Sequence, residues 1–449
     1  MPSISCHCGF ARQTVRLRGQ SPNAPQEISI CHCNACRHNT GSLCVSYVEI
    51  KKPDLIEGLV KYHSETTIFT RFFCGTCGCH IFRRLGSPFD NDGDRALPGN
   101  DKLWAVATGV IIGLEDNSRE SRQGIDERLI RYVGHINTAS TKDGGLSPFI
   151  QCVGSSQEVE VAEIKPASPR HRHTHTIEQL EGSADHVTVN APLGDKNQGS
   201  EGEATMNAFC HCKSVRFHIT RPNDKSKLPR SNFPDLMVPY HTGSPEIRNP
   251  KDIKWWLRPD ISLNSAELES QSARNGKLRR YLAGTCACRS CRLTLGFEIQ
   301  SWAFIPRANI FFHIRKEQAN LPGPQSGTSK DAYGIVPLDF DSLPAGILRS
   351  YVSSPGVRRD FCSRCGATVF WRDRWRPELL DVSAGLLDAE EGTRAETWLD
   401  WWTARVSFSE DAGNGRTGEM ADHASCLING LETGLRGWGL WEERAEETA

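Results

Sequence analysis

No apolar run in the 449 residues approaches the roughly 20 that a membrane-spanning helix requires, so no membrane-embedded segment is expected. Charge of one sign is also missing: 53 lysines and arginines meet 54 aspartates and glutamates, a formal net charge of −1. With no global field and no basic run, there is no strong nucleic-acid signal. The opening residues, MPSISCHCGF, have neither a basic start nor an apolar stretch, so a secretory signal is not expected and a cytoplasmic location is. Disulfide frameworks belong to oxidising compartments and are most recognisable in short secreted chains. In a long chain expected inside the cell, clustered thiols read instead as metal ligands or catalysts.

Cysteine is what the chain has in quantity and in order. The series C-x-C, C-x-C-x-x-C, C-x-x-C-G occurs twice: Cys6, Cys8; Cys31, Cys33, Cys36; Cys74, Cys77, and then Cys210, Cys212; Cys286, Cys288, Cys291; Cys362, Cys365. These account for 14 of the 18 cysteines and leave Cys44, Cys79, Cys152 and Cys426. The duplication divides a chain that is long for one core but comfortable for two. Residues 3–152 form a first module and 206–410 a second. Residues 153–205 form a polar linker expected to be flexible, and 411–449 a C-terminal tail. In the linker, His171, His173 and His175 read as a solvated tract.

The second module is the larger one. The step from Cys8 to Cys31 has become Cys212 to Cys286, and that from Cys36 to Cys74 has become Cys291 to Cys362. The two insertions, one with Trp255 and Trp256 and one with LPGPQSGTSKDAYG, are expected as surface loops between strands. Short alternating segments flank the cysteines, and LWAVATGVI and LLDVSAGLL match as strands that end in glycine. A mainly β fold with one short helix per module is expected. WLDWWTARVSF is expected as a final core-packing element.

The spacings suit zinc. On a strand, residues i and i+2 share a face, so C-x-C sets two sulfurs side by side. C-x-x-C-G does the same through a tight turn, with Gly78 and Gly366 free to take positive φ. Together they supply four thiolates, the closed shell of a structural zinc site: Cys6, Cys8, Cys74 and Cys77, and again Cys210, Cys212, Cys362 and Cys365. The central C-x-C-x-x-C offers three thiolates, Cys31, Cys33 and Cys36 or Cys286, Cys288 and Cys291. Three protein ligands with an open place suit a catalytic zinc; in the first module a closed site completed by Cys44 or Cys79 is the alternative, for which the second module has no matching cysteine.

The motifs SCHCG, CHCNACRHNTGS, FFCGTCGCHIF and GHINTASTKDGG, with FCHC, CACRSCRLTLG, FCSRCGATVFW and SAGLLD in the second module, resemble the glutathione-dependent formaldehyde-activating enzyme family, which includes centromere protein V-like proteins. The resemblance implies two zinc-containing β-tent-like modules, each with a structural zinc and a zinc at the C-x-C-x-x-C triplet. It implies a carbon–sulfur lyase whose partners are glutathione, or a similar small thiol, and formaldehyde or another small aldehyde. Arg37 and Arg292, each directly after the last triplet cysteine, are candidates to hold a substrate carboxylate, with Thr40 a further candidate contact in the first module. The first module is expected to be the more enzyme-like. His32 and His38 have no counterparts in the second module and are expected at the surface. A non-catalytic, zinc-stabilised binding or scaffold protein is the alternative function, and a thiol-redox role for C-x-x-C is a third.

Overall fold

The computed structural model describes residues 1–18, 25–64, 67–86, 103–114, 129–151, 153, 162–163, 204–239, 249–258, 279–315 and 333–448. Most of the expected linker, with its three histidines and Cys152, and most of LPGPQSGTSKDAYG lie outside these residues. No described helix is long and apolar enough to cross a membrane.

The described residues are mainly β, with three α-helices: α1 at Asn34–Thr40, α2 at Arg289–Leu295 and α3 at Glu419–Thr448. In the N-terminal half, five antiparallel strands run in the order Tyr47–Ile50, Trp104–Ala107, His80–Leu85, Phe69–Cys74, Leu59–His63. In the C-terminal half the corresponding order is Gln300–Pro306, Leu379–Ser383, Thr368–Asp373, Val357–Cys362, Leu348–Ser354, extended at the other edge by Arg280–Cys286 and Leu257–Arg258. Each triplet begins at the end of a strand held by a parallel neighbour: Gln26–Cys31 beside Ile130–Ile136, and Arg280–Cys286 beside Leu399–Trp401. The latter strand belongs to WLDWWTARVSF, and it buries Trp401 as expected.

The short helices exist for local reasons. Cys33 caps α1 by accepting a hydrogen bond from Cys36 N at 3.3 Å, and Cys288 caps α2 from Cys291 N at 3.3 Å. Gly41 and Gly296 close these helices at φ 88° and 99°, where other residues would be strained. Seven residues are too few for a helix to stand alone in water, so both depend on what packs around them.

What packs around each is the other half. Gly385 N donates to Gly41 O at 3.1 Å, and Gly109 N donates to Gly296 O at 2.9 Å. The backbones approach too closely for side chains: a Cβ at Gly385 would lie 2.5 Å from Ser42 O, and one at Gly109 would lie 2.4 Å from Phe297 N. A buried ion pair adds to the contact, with Arg416 Nη2 2.7 Å from Glu298 Oε1 and Thr108 Oγ1 donating to Glu298 Oε2 at 2.7 Å.

One expectation changes here. The first insertion is not a surface loop in its described part. Trp255 and Trp256 are fully buried, Trp256 Nε1 donates to Ser226 O at 2.9 Å, and Trp255 meets Phe304 edge-on with ring centroids 5.0 Å apart. Large aromatic residues cost most when left in water, and this insertion has a wall to pack against. The C-terminal tail contains α3, which buries Leu427, Ile428, Leu431 and Leu435 on one stripe. Its Trp438 stacks on Phe149 at 4.7 Å, while Glu432 Oε2 accepts from Val406 N at 2.9 Å, so the helix touches both halves.

Candidate metal centres and the adjoining cavity

The C-x-C pairs follow strands rather than lying within them. Cys6 and Cys8 sit in a turn after Pro2–Ile4, closed by Gly9 N donating to Cys6 O at 3.1 Å. Cys210 and Cys212 occupy the matching turn, closed by Lys213 N donating to Cys210 O at 2.8 Å with Lys213 at φ 58°. Side-by-side sulfurs therefore come from a turn, not from the period of a strand. Gly78 and Gly366 do take positive φ, both 80°.

All four cysteine groups assemble. Cys6, Cys8, Cys74 and Cys77 bring their Sγ atoms within 4.8 Å of one another, as do Cys210, Cys212, Cys362 and Cys365, the triplet Cys31, Cys33 and Cys36, and the triplet Cys286, Cys288 and Cys291. Within the four-thiol groups, neighbouring sulfurs lie 3.4–3.6 Å apart. Tetrahedral zinc with bonds of about 2.3 Å sets its sulfurs a little under 4 Å apart, so these donor sets fit the ion with small adjustment. None of these thiols is in a disulfide. Cys44 and Cys79 are buried but stand outside both triplets, and Cys426 lies on α3.

An arginine addresses one sulfur of each triplet. Arg71 Nη2 donates to Cys36 Sγ at 3.3 Å, and Arg359 donates to Cys291 Sγ from Nη1 at 3.4 Å and Nη2 at 3.5 Å. Both arginines are buried, and each stands three residues before the first cysteine of C-x-x-C. Hydrogen bonds from Cys31 and Cys33, and then the charge of Arg71, hold the Cys36 thiol well below its ordinary pKa. Cys286, Cys288 and Arg359 do the same for Cys291. Each triplet thus has one thiolate ready to bind a cation.

Arg37 and Arg292 are elsewhere. Arg37 Nη1 donates to Gly385 O at 2.9 Å and Leu387 O at 2.6 Å; Arg292 donates to Gly109 O at 2.6 Å and Asn414 O at 2.8 Å. Both are buried and tie one half to the other. Thr40 Oγ1 donates to Cys36 O at 3.0 Å and accepts from Ser42 N, so its hydroxyl is taken up by the end of α1. The histidines expected at the surface are buried too. His32 Nε2 lies 2.8 Å from His135 Nδ1, and His38 Nδ1 lies 2.7 Å from Phe209 O.

The two halves are also wired across at their thiol groups. His7, between Cys6 and Cys8, places Nδ1 2.8 Å from Tyr351 OH and Nε2 3.2 Å from Ser290 Oγ, inside the second triplet. His211, between Cys210 and Cys212, places Nδ1 2.7 Å from Tyr62 OH, and its N donates to His38 O at 2.8 Å.

The second triplet opens on a cavity of about 900 Å³, lined in part by Cys286, Cys288, Cys291, Arg359, Trp302, Phe304, Trp371, Phe408, Arg376 and Asp381. Described residues of the first insertion, from Arg230 to Leu236 and Asn249, supply another wall. Asp381 pairs with Arg376 Nη2 at 2.8 Å, yet burial raises its carboxyl from 3.8 to about 7. Burial also raises Asp235 in the same wall. Asp381 and the two sulfur-facing arginines are the groups that sequence reasoning missed. The repeated arginine at three before C-x-x-C was a usable signal, as was an acid in the otherwise apolar start of LLDVSAGLL.

In comparisons with known proteins, residues 1–93 match the family model described as glutathione-dependent formaldehyde-activating enzyme. Neither the curated proteins nor the solved structures gave a match.

Proposed function

We propose that the chain is a zinc-dependent carbon–sulfur lyase that makes and breaks thiol–aldehyde adducts, of which the glutathione–formaldehyde adduct is the type. The observation that carries this reading is the second triplet: three thiols and a buried arginine facing a cavity that also holds a carboxyl titrating near neutrality. The match of residues 1–93 supports the reaction class. The chain is further read as two zinc-holding modules, with the four-thiol groups structural and the triplets offering an open place.

A zinc ion at Cys286, Cys288 and Cys291 would keep a substrate thiol ionised at neutral pH or polarise the aldehyde oxygen. The protein supplies the rest. In the breaking direction, the adduct's hydroxyl loses its proton, the carbon–oxygen bond becomes a carbonyl, and the carbon–sulfur electron pair leaves with sulfur as thiolate. Asp381, with its pKa near 7, is a group in the cavity able to take that proton and return it when the adduct forms. Arg359 holds Cys291 ionised, so that the triplet keeps its charge as the thiolate comes and goes.

The first triplet, with Cys31, Cys33 and Cys36 each no more than 2% exposed, favours a structural role for that half. This transfers the enzyme-like role from the first half, where the sequence suggested it, to the second. The test is the exchange rate between formaldehyde, glutathione and their adduct by NMR, with zinc-loaded protein. Acceleration that is lost in Cys291→Ser but kept in Cys36→Ser supports the reading. No acceleration at any protein concentration removes it and leaves a zinc-stabilised binding protein.

A further inference from the structure

We infer that the second triplet serves adducts whose aldehyde-derived part is a flat apolar group, in addition to a one-carbon unit. The inference rests on the reading of that triplet as the reactive site and adds the class of substrate.

The two halves can be aligned strand by strand through their pairing registers. Tyr47 pairs with Ala107 two residues before Gly109, and Trp302 pairs with Ser383 two residues before Gly385. Along the same ladders Glu49 pairs with Ala105 and Phe304 with Asp381, while Arg83 pairs with Ala105 and Trp371 with Asp381. Trp302, Phe304 and Trp371 therefore stand where the first half has Tyr47, Glu49 and Arg83. A fourth exchange follows from the parallel partner of each triplet strand. His32 N donates to Ile136 O and Ala287 N to Ser407 O, and the next residue in each case is left-handed: Asn137 at φ 59° and Phe408 at φ 55°. Asn137 Nδ2 donates to Cys31 Sγ at 3.3 Å, whereas Phe408 has no such group to offer.

The arginine on the sulfur is kept in both halves, so the exchanges spare the charge on the triplet and alter what surrounds it. Polar or charged residues become aromatic at three of the four positions, and at the fourth a tyrosine becomes a tryptophan. Cys286 and Cys291 cluster with Trp302, and Cys288, Trp371 and Phe408 pack against them. Trp255 from the first insertion braces Phe304, and Trp375, 75% exposed, lies at the cavity's edge. A formaldehyde adduct needs room for the thiol and one carbon, and a cavity of about 900 Å³, with aromatic residues on the triplet's side and charged residues such as Arg230, Asp235 and Asp411 elsewhere, has space for a larger group on sulfur. Trp371 and Phe408 are half-buried and Trp375 is exposed, and a flat apolar group laid against these rings would cover the area they still show to water.

The experiment is calorimetric titration of the zinc-loaded full chain with S-benzylglutathione and S-methylglutathione, which differ only in the group on sulfur. S-Benzylglutathione is expected to bind about tenfold or more tightly, the gain from burying a ring against aromatic walls. The gap is expected to fall below about threefold in Trp371→Arg and Phe408→Asn, which restore the residue types of the first half. Trp375→Ala, at an exposed position that leaves the core untouched, is expected to narrow the gap and guards against misfolding of the inner variants. Equal affinity for the two ligands, or a gap unchanged in all three variants, overturns the inference. Neither ligand has a free thiol or aldehyde, so the result does not depend on turnover. A benzyl preference without any exchange activity would overturn the lyase reading and keep the apolar site; exchange activity without the preference would do the reverse.

Discussion

Arg359 spends two guanidinium nitrogens on one sulfur, donating to Cys291 Sγ at 3.4 and 3.5 Å. A buried cation on a buried thiolate stabilises only while both are present, and removing one partner leaves an uncompensated charge. Without Arg359, protons compete better for Cys291. Arg359→Met is therefore expected to weaken zinc binding at the second triplet more at pH 6 than at pH 8, by about tenfold for each unit that the thiol rises. Chelator competition at the two pH values measures this; equal loss at both would mean that the arginine only packs.

The halves meet through backbone, and the glycines there have no room for change. A Cβ on Gly385 would lie 2.5 Å from Ser42 O, and one on Gly109 2.4 Å from Phe297 N. Gly385→Ala and Gly109→Ala are each expected to cost about 1–3 kcal/mol, the range for overpacking, in denaturant unfolding. Gly346→Ala serves as a contrast. A Cβ there meets nothing within 4 Å, so only its positive φ of 86° opposes the change.

Asp381 makes stability depend on pH. Its folded value of about 7 lies above its ordinary 3.8, so the folded state binds the proton more tightly. That contribution is complete below about pH 4 and is lost as pH rises through 7. Asp381→Asn removes the dependence. The difference in Tm between wild type and variant should move in the variant's favour between pH 5 and pH 8. A difference that stays flat across this range would show that the carboxyl is ionised throughout.

Helix α3 is part of the folded body. Leu431 is fully buried, and Leu→Ala at such sites costs about 2–5 kcal/mol. Leu431→Ala should lower the unfolding midpoint for both halves together, because α3 reaches Phe149 in one and Val406 in the other. Two separated transitions, only one of them shifted, would show that the halves unfold independently.

The thiol groups were legible in the sequence because cysteine spacing is local. Cys33 and Cys36 face one another across a single helical turn, and Cys74 and Cys77 across a tight turn, whatever the rest of the chain does. LWAVATGVI and LLDVSAGLL were legible as equivalent strands by their likeness to each other, and Trp104–Ala107 and Leu379–Ser383 lie there, each buried throughout and ending two residues before the glycine. Arg37 shows the opposite case. Its position beside Cys36 suggested a role at the triplet, but a helix turns successive residues to different faces, and it points across to Gly385. Trp255 and Trp256 looked like loop residues because sequence gives an insertion's length and not the wall it meets.

The sequence by itself determined which sulfurs gather, since order and short spacing leave them few other partners. It also set the mainly β character of the chain. Only the tertiary structure decided which arginines face those sulfurs, that the halves interlock through glycine, and that the second triplet opens on a cavity. Those outcomes depend on contacts between residues hundreds of positions apart, such as His7 with Ser290 and Arg292 with Gly109. No local pattern encodes such pairs; they follow from packing two similar halves face to face.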